Sequence, residues 1–305
     1  MGKNKIDIRN EIKSKLHEME RFGESKYEAK LTGDVKHGIY SYSTATAYNR
    51  DCQRFADYAI EQHGNRYMSL DDARQYAEGF LRSELSAGRS VYTVKAERAA
   101  LAKLYQCDGR KICELPNRSR ADITRSRERY VTSAKTGKQI LNPSSRAGHF
   151  SEKNHRDIVD FCRSTGLRRS ELQQLRGDQL RGVDINGRTE YAIVLDGSQC
   201  KGGRSRWIPI VVGNIDNVVQ LMESAGSGRV FDSVPAAMDV HHYRSEFASN
   251  LYAAVARPVN EIPRDERYCC RGELKGTWYD KRAMRIVSEA LGHNRISVIA
   301  EHYLR

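Results

Sequence analysis

The residues best suited to handling an anionic centre lie in the second half of the chain. Arg168 sits in Thr165-Gly166-Leu167-Arg168-Arg169-Ser170-Glu171-Leu172, a tight turn just before a helix. Lys201 opens the glycine pair Lys201-Gly202-Gly203-Arg204, and His241-His242-Tyr243-Arg244 begins a further helix. On that helix His241 and Arg244, at i and i+3, can face the same way. Leu291-Gly292-His293 closes a helical segment, its glycine supplying a left-handed cap. Tyr303 follows one short helical stretch later. A guanidinium grips anionic oxygens with paired hydrogen bonds and keeps its proton while doing so. An ammonium or imidazole can pass protons. A phenol, with pKa about 10, becomes a nucleophile only when its proton is removed or its anion stabilised.

Each residue has a plainer reading. Arg168 could cap the preceding helix, and Lys201 could be a solvated hairpin residue with Arg204 and Arg206 as neighbouring candidates. His242 could replace His241, His293 could be a core histidine, and Tyr303 could be a packing aromatic among the chain's 16 tyrosines. Cys269-Cys270 and Cys107/Cys113 have no second ligand pair at zinc spacing, so no metal site is expected. The seven cysteines are odd in number and scattered, as reduced thiols in a cytosol would be.

The elements that must position these groups follow from the apolar pattern. Residues 1–34 read as a charged N-terminal helix or arm, with Ile8, Ile12, Leu16 and Met19 at helical spacing. Residues 35–115 read as a helical bundle. Its first helix is expected to bury the stripe Tyr48, Cys52, Phe55, Ala56, Ala59 and Ile60, its second opens at Ser69 and Asp72, and its third opens at Ser90. A basic linker is expected over 116–145. From 146 to 305 a second, mostly helical domain is expected, with strands at 191–195 and 207–211 joined by a tight glycine hairpin. Within it, Pro258, Pro263, Gly272 and Gly276 mark 257–280 as an irregular insertion.

Charge narrows the partner. The chain of 305 residues carries a formal net charge of +12. Residues 109–138 hold nine Lys/Arg against three Asp/Glu, half the excess in one segment. That segment lacks a sustained apolar face, which favours a phosphate backbone over a membrane surface. No apolar run approaches the ~18 residues needed to span a bilayer. The opening MGKNKIDIRN has no apolar signal core, so a cytosolic protein is expected.

Taken in order, TGLRRSEL, the hairpin lysine, HHYRSEFA, LGH and the closing tyrosine resemble a tyrosine recombinase of the phage-integrase type, over roughly 37–305. The resemblance implies a mainly α fold with a small antiparallel β-sheet, arranged as a two-domain clamp. An N-terminal helical, SAM-like core-binding domain would be followed by a catalytic domain of the DNA breaking-rejoining fold. It implies that Arg168 and Arg244 hold the scissile phosphate, that Tyr303 attacks it, and that Lys201 protonates the leaving 5′ oxygen. His241 would act as acid/base and His293 would hydrogen-bond the transition state, with no metal and no cofactor. Glu171 would orient the arginine turn. Arg118, Arg120, Arg125, Arg127, Arg129, Arg204 and Arg206 would track the DNA backbone. The implied partners are double-stranded DNA attachment sites and further copies of the chain in a homotetramer, with an accessory DNA-bending protein as an optional third. The implied role is integration or excision of a prophage or other mobile element in a bacterial cytosol, without a membrane partner.

Departures from the pattern leave alternatives open. The stretch from Arg244 to His293 is longer than usual, and Tyr268-Cys269-Cys270-Arg271 mimics the second-arginine motif at more ordinary spacing. His302 occupies the position where the tyrosine more often stands. A type IB topoisomerase shares the same chemistry, and a non-catalytic DNA-binding regulator descended from a recombinase is the rival of a different class.

Overall fold

The computed structural model describes residues 6–24, 26–33, 37–116, 130–133, 135–141, 149–185, 188–200, 203–293 and 295–304. The chain divides into two units, Met1–Arg125 and Ser126–Arg305.

In the first unit, apolar residues at helical spacing build a bundle of α1 (Ile8–Glu18), α2 (Lys26–Leu31), α3 (Tyr42–His63), α4 (Leu70–Ala73), α5 (Ala77–Ser86) and α6 (Val91–Leu104). Ser41 caps α3 by accepting from Thr44 N, and Gly64, at φ 75°, ends it in the left-handed conformation. Ser69 and Asp72 form a reciprocal capping box at α4. The stripe Ala73, Ala77, Phe80 and Leu81 then runs on into α5 across a 3-10 turn at Arg74–Tyr76, where one continuous helix was expected. Ser90 caps α6. Of the two roles open to the charged helix within 1–34, an arm or a helix packed on the next domain, the structure has the packed helix: Ile8, Ile12, Leu16 and Met19 are buried in the same core as Phe55, Phe80 and Leu101. Three apolar residues on one face of α1, with Met19 just past its end, are enough to seat it against α3 and α6.

The second unit contains a pair of short antiparallel strands, β1 (Tyr130–Thr132) and β2 (Gln139–Leu141), inside the segment expected to be a linker. Helices α7 (Arg156–Thr165) and α8 (Arg169–Leu172) follow. An antiparallel sheet then forms in the order β3 (Leu180–Ile185), β4 (Arg188–Leu195), β5 (Arg206–Pro209). β4 and β5 were foreseen; β3 was not, because it is an edge strand with little burial and a glycine at Gly182. The β4–β5 connection is no tight hairpin: it spans 196–205 and includes a 3-10 turn at Gly197–Gln199 capped by Asp196. The unit closes with α9 (Ile215–Ala225), α10 (Val240–Val255), the antiparallel pair β6 (Arg267–Cys269) and β7 (Trp278–Asp280), α11 (Lys281–Ala290) and α12 (Ser297–His302). The irregular stretch 257–280 thus carries a two-stranded hairpin. The core of the unit gathers around Tyr243, Phe247 and Leu251 of α10, packed on α7 and α11. Among the described residues no helix is long and apolar enough to cross a membrane.

Candidate active site

Four turns and helix ends of the second unit converge on one cluster of cations around a phenol. Gly166, at φ 60°, caps α7 in the left-handed region, and Leu167-Arg168 then leads into α8. The glycine is required twice over: a Cβ there would lie 2.2 Å from Cδ1 of Phe247. Asp239 caps α10 and sets Val240 to Val255 in a helix that points Tyr243, Arg244 and Phe247 inward. Gly292, at φ 64°, ends the α11 segment and turns His293 back toward the cluster.

Arg244 is 2% exposed, a fully sequestered guanidinium. Its Nη1 donates to the Gly166 carbonyl and its Nη2 to the Leu291 carbonyl. Its Nε donates to the Tyr303 hydroxyl at 3.4 Å. Arg168 Nη2 donates to the same Leu291 carbonyl at 3.0 Å, so one main-chain oxygen joins the two arginines. His293 Nε2 lies 3.2 Å from the Tyr303 hydroxyl, with either partner donating according to the tautomer. The rings of His241 and Tyr303 meet edge to face at 6.1 Å between centroids. Tyr303 itself is 5% exposed.

Beneath the cluster lies Glu171, with 0% exposure. It accepts from Arg168 N at 2.7 Å and from Arg168 Nη1 at 2.8 Å. On its other side Arg206 forks onto both of its oxygens, at 2.8 and 2.7 Å, and donates Nε to the Ala290 carbonyl at 3.0 Å. Arg206 was expected to track DNA, and the structure corrects this. It is 7% exposed and ion-paired, because β5 alternates and turns Arg206 and Ile208 inward while Trp207 faces out. That alternation was the available signal, with Ile208 and Ile210 fixing the inward face. Arg204, by contrast, is exposed.

The electrostatics follow from burial and crowding. Burial alone would raise the Glu171 carboxyl, but the hydrogen bonds and charges of Arg206 and Arg168 outweigh it and hold the group at about 2. Burial, then the charge of Arg168, pushes the Arg244 guanidinium down to about 10, which leaves it cationic at neutral pH. Burial, reinforced by Arg244, Arg168 and Arg206, pushes His293 down to about 4, so its imidazole is neutral at pH 7. His241 is lowered for the same first reason, with Arg244 as the next cause.

The structure therefore brings together Arg168, His241, Arg244, His293 and Tyr303. Lys201 lies outside the described residues, as do Arg118, Arg120, Arg125, Arg127 and Arg129. The competing second arginine, Arg271, is exposed beside the β6–β7 hairpin. His302, in the more ordinary tyrosine position, is exposed too and lies 3.9 Å from Glu301. The arrangement offers two guanidiniums with N–H groups to spare, a buried phenol and a neutral imidazole in contact with it. The hydrogen bonds described use three of the five N–H groups of Arg244 and two of those of Arg168.

No protein-family model matches the chain, and no curated protein matches it either. Among solved structures it is similar to the Tn1549 transposon integrase in complex with transposon right end DNA, at 13% identity and a TM-score of 0.46, covering 96% of this chain and 95% of that one. Complexes of the same integrase with circular intermediate DNA match over the same shares, with a TM-score of 0.46 and identities of 13% and 12%.

Proposed function

We propose that this chain is a tyrosine recombinase, an integrase that cuts and rejoins duplex DNA through a 3′-phosphotyrosyl intermediate on behalf of a prophage or other mobile element. The observation that carries the reading is the Tyr303 hydroxyl, within hydrogen-bonding reach of both Arg244 and His293, with Arg168 tied to Arg244 through one carbonyl. A buried phenol beside a buried guanidinium and a neutral imidazole is the kind of crowded, desolvated cluster that functional sites gather.

In this reading the unused N–H groups of Arg168 and Arg244 take the non-bridging oxygens of a phosphodiester, where charge builds up during attack. The Tyr303 oxygen forms a bond to phosphorus as the bond from phosphorus to the 5′ oxygen breaks. The phenolic proton passes to the imidazole in contact with it, and His293, neutral at pH 7, is the base in place. His241 stands at the rim for a second proton transfer, and the leaving 5′ oxygen takes its proton from Lys201. Rejoining reverses these steps with a 5′-hydroxyl as nucleophile. The phosphotyrosyl bond conserves the energy of the one it replaces, so no nucleotide is consumed. Glu171 and Arg206 do no chemistry: they fix Arg168 from behind.

The test is a nicked suicide duplex, from which the short product strand diffuses away and traps the covalent complex. Duplexes cut from DNA flanking the gene, together with a randomised pool, serve as substrate, and SDS-resistant adducts are recovered and sequenced. The wild type is expected to form the adduct and Tyr303→Phe to lose it while retaining DNA affinity. Binding without any adduct in the wild type would instead favour a non-catalytic regulator. Relaxation of plasmid lacking any specific site would favour a type IB topoisomerase.

A further inference from the structure

Just past the end of α12, the carbonyls of Tyr303 and Leu304 have no intrahelical donor, and such groups must find partners elsewhere. Here two side-chain hydroxyls from different elements supply them. Ser249 Oγ, on α10, donates to the Tyr303 carbonyl at 2.9 Å. The Tyr279 hydroxyl, on β7, donates to the Leu304 carbonyl. The Tyr303 and Leu304 amides both return to the Ile299 carbonyl, so the main chain at the phenol is held on each side. A helix as short as Ser297–His302 has little stability of its own, so these outside bonds decide where the phenol rests.

The element carrying Tyr279 is itself braced. Arg257 forks onto Asp280, Nε to Oδ2 at 2.8 Å and Nη2 to Oδ1 at 3.0 Å, and also pairs with Glu266 at 2.6 Å. Asp280, fully buried, caps α11 through Arg282 N. Its own amide donates to the Tyr252 hydroxyl, and the Tyr252 ring meets Tyr279 edge to face at 5.6 Å. The hairpin, the start of α11 and the Tyr279 ring are thus fixed to one another. Tyr268, Leu274 and Tyr279 pack on the core that also takes in Tyr303 and Leu304.

We infer that Ser249 and Tyr279 are positioning residues for the Tyr303 nucleophile, and that the segment 257–280 exists in this chain to deliver one of the two hydroxyls. The inference rests on the reading of Tyr303 as nucleophile. In-line attack demands placement of the reacting oxygen to within a fraction of an ångström, and loss of either anchor lets the tail wander. Neither hydroxyl touches the phosphate, so DNA affinity is independent of both.

The experiment follows adduct formation by the full chain on the duplex recovered above. Tyr279→Phe keeps the ring and its packing; Ser249→Ala removes a small hydroxyl. Each is expected to slow adduct formation about 3–10-fold, the range for losing one neutral hydrogen bond, and together by more than either alone. Affinity for the same duplex should be unchanged, and Ser249→Thr, which keeps a hydroxyl, should restore the rate. A substrate with sulfur at the bridging 5′ position, whose departure needs no proton, should leave the slowing in place, since the defect lies with the nucleophile. Variants that match the wild-type rate, or whose slowing disappears with the sulfur substrate, overturn the positioning role. A wild type that forms no adduct on any duplex overturns the parent reading and this one with it, which separates the two failures.

Discussion

Replacing Glu171 by glutamine tests the electrostatic foundation of the site. The substitution keeps the shape but removes the charge between Arg206 and Arg168, and it turns one accepting oxygen into an amide nitrogen that can only donate. The carboxyl is held at about 2 against an ordinary value of 4.5. A shift of that size corresponds to about 3 kcal/mol of stability, in line with the loss expected when one partner of a buried ion pair is removed. The sign is fixed: because the folded value is depressed, the contribution is complete above pH 4.5 and disappears as pH falls through 2. Urea unfolding of wild type and Glu171→Gln at pH 7, 5, 4 and 3 measures it. The gap should be about 3 kcal/mol at pH 7 and shrink to roughly half of that or less at pH 3. In a thermal scan at pH 7, the second unit of the variant should melt roughly 6–12 °C lower. A gap that is absent at pH 7, or of the same size at pH 3, would refute the claim that the carboxylate charge braces the arginine turn.

Other perturbations probe the neighbours. Gly166→Ala places a Cβ 2.2 Å from Phe247 Cδ1 at a φ of 60°. It should cost about 2–4 kcal/mol in urea unfolding, and a loss within 0.5 kcal/mol would show that the turn can relax. Arg206→Lys keeps the charge but loses the two-pronged geometry, so it should destabilise by about 2–3 kcal/mol and slow adduct formation, while a silent variant would reduce Arg206 to a bystander. The rate of adduct formation should show no inflection near pH 6.5. It should fall only on the acid side, toward pH 4, where His293 takes up a proton and can no longer accept one from Tyr303. An acid limb centred on the ordinary imidazole value would rule out His293 as that base.

Much of the site was legible because its parts are punctuated. Gly166 and Gly292 announce the turns that carry Arg168 and His293, and the period of Tyr243, Phe247 and Leu251 fixes the inward face of α10, on which Arg244 lies. Arg206 was misassigned because cations near a glycine pair look alike until the strand register is known. Once Ile208 is seen facing inward, Arg206 must face inward too, and there it meets the Glu171 carboxylate. The small hairpins β1–β2 and β6–β7 left no trace, since three-residue strands are too short to show a period. The placement of α1 inside the bundle was ambiguous for another reason: an apolar stripe says that a helix is covered, not what covers it.

The acceptors that seat Arg244 are the oxygens of residues 166 and 291, which every amino acid possesses. Descendants of this chain can therefore exchange the leucine at 291 for another apolar residue without disturbing the seat, provided that the path of the chain through both corners is retained. Divergence is restrained at the glycines and at the charged fork beneath, and much less at the atoms that touch the guanidinium. Such a site can outlast most of the recognisable sequence around it.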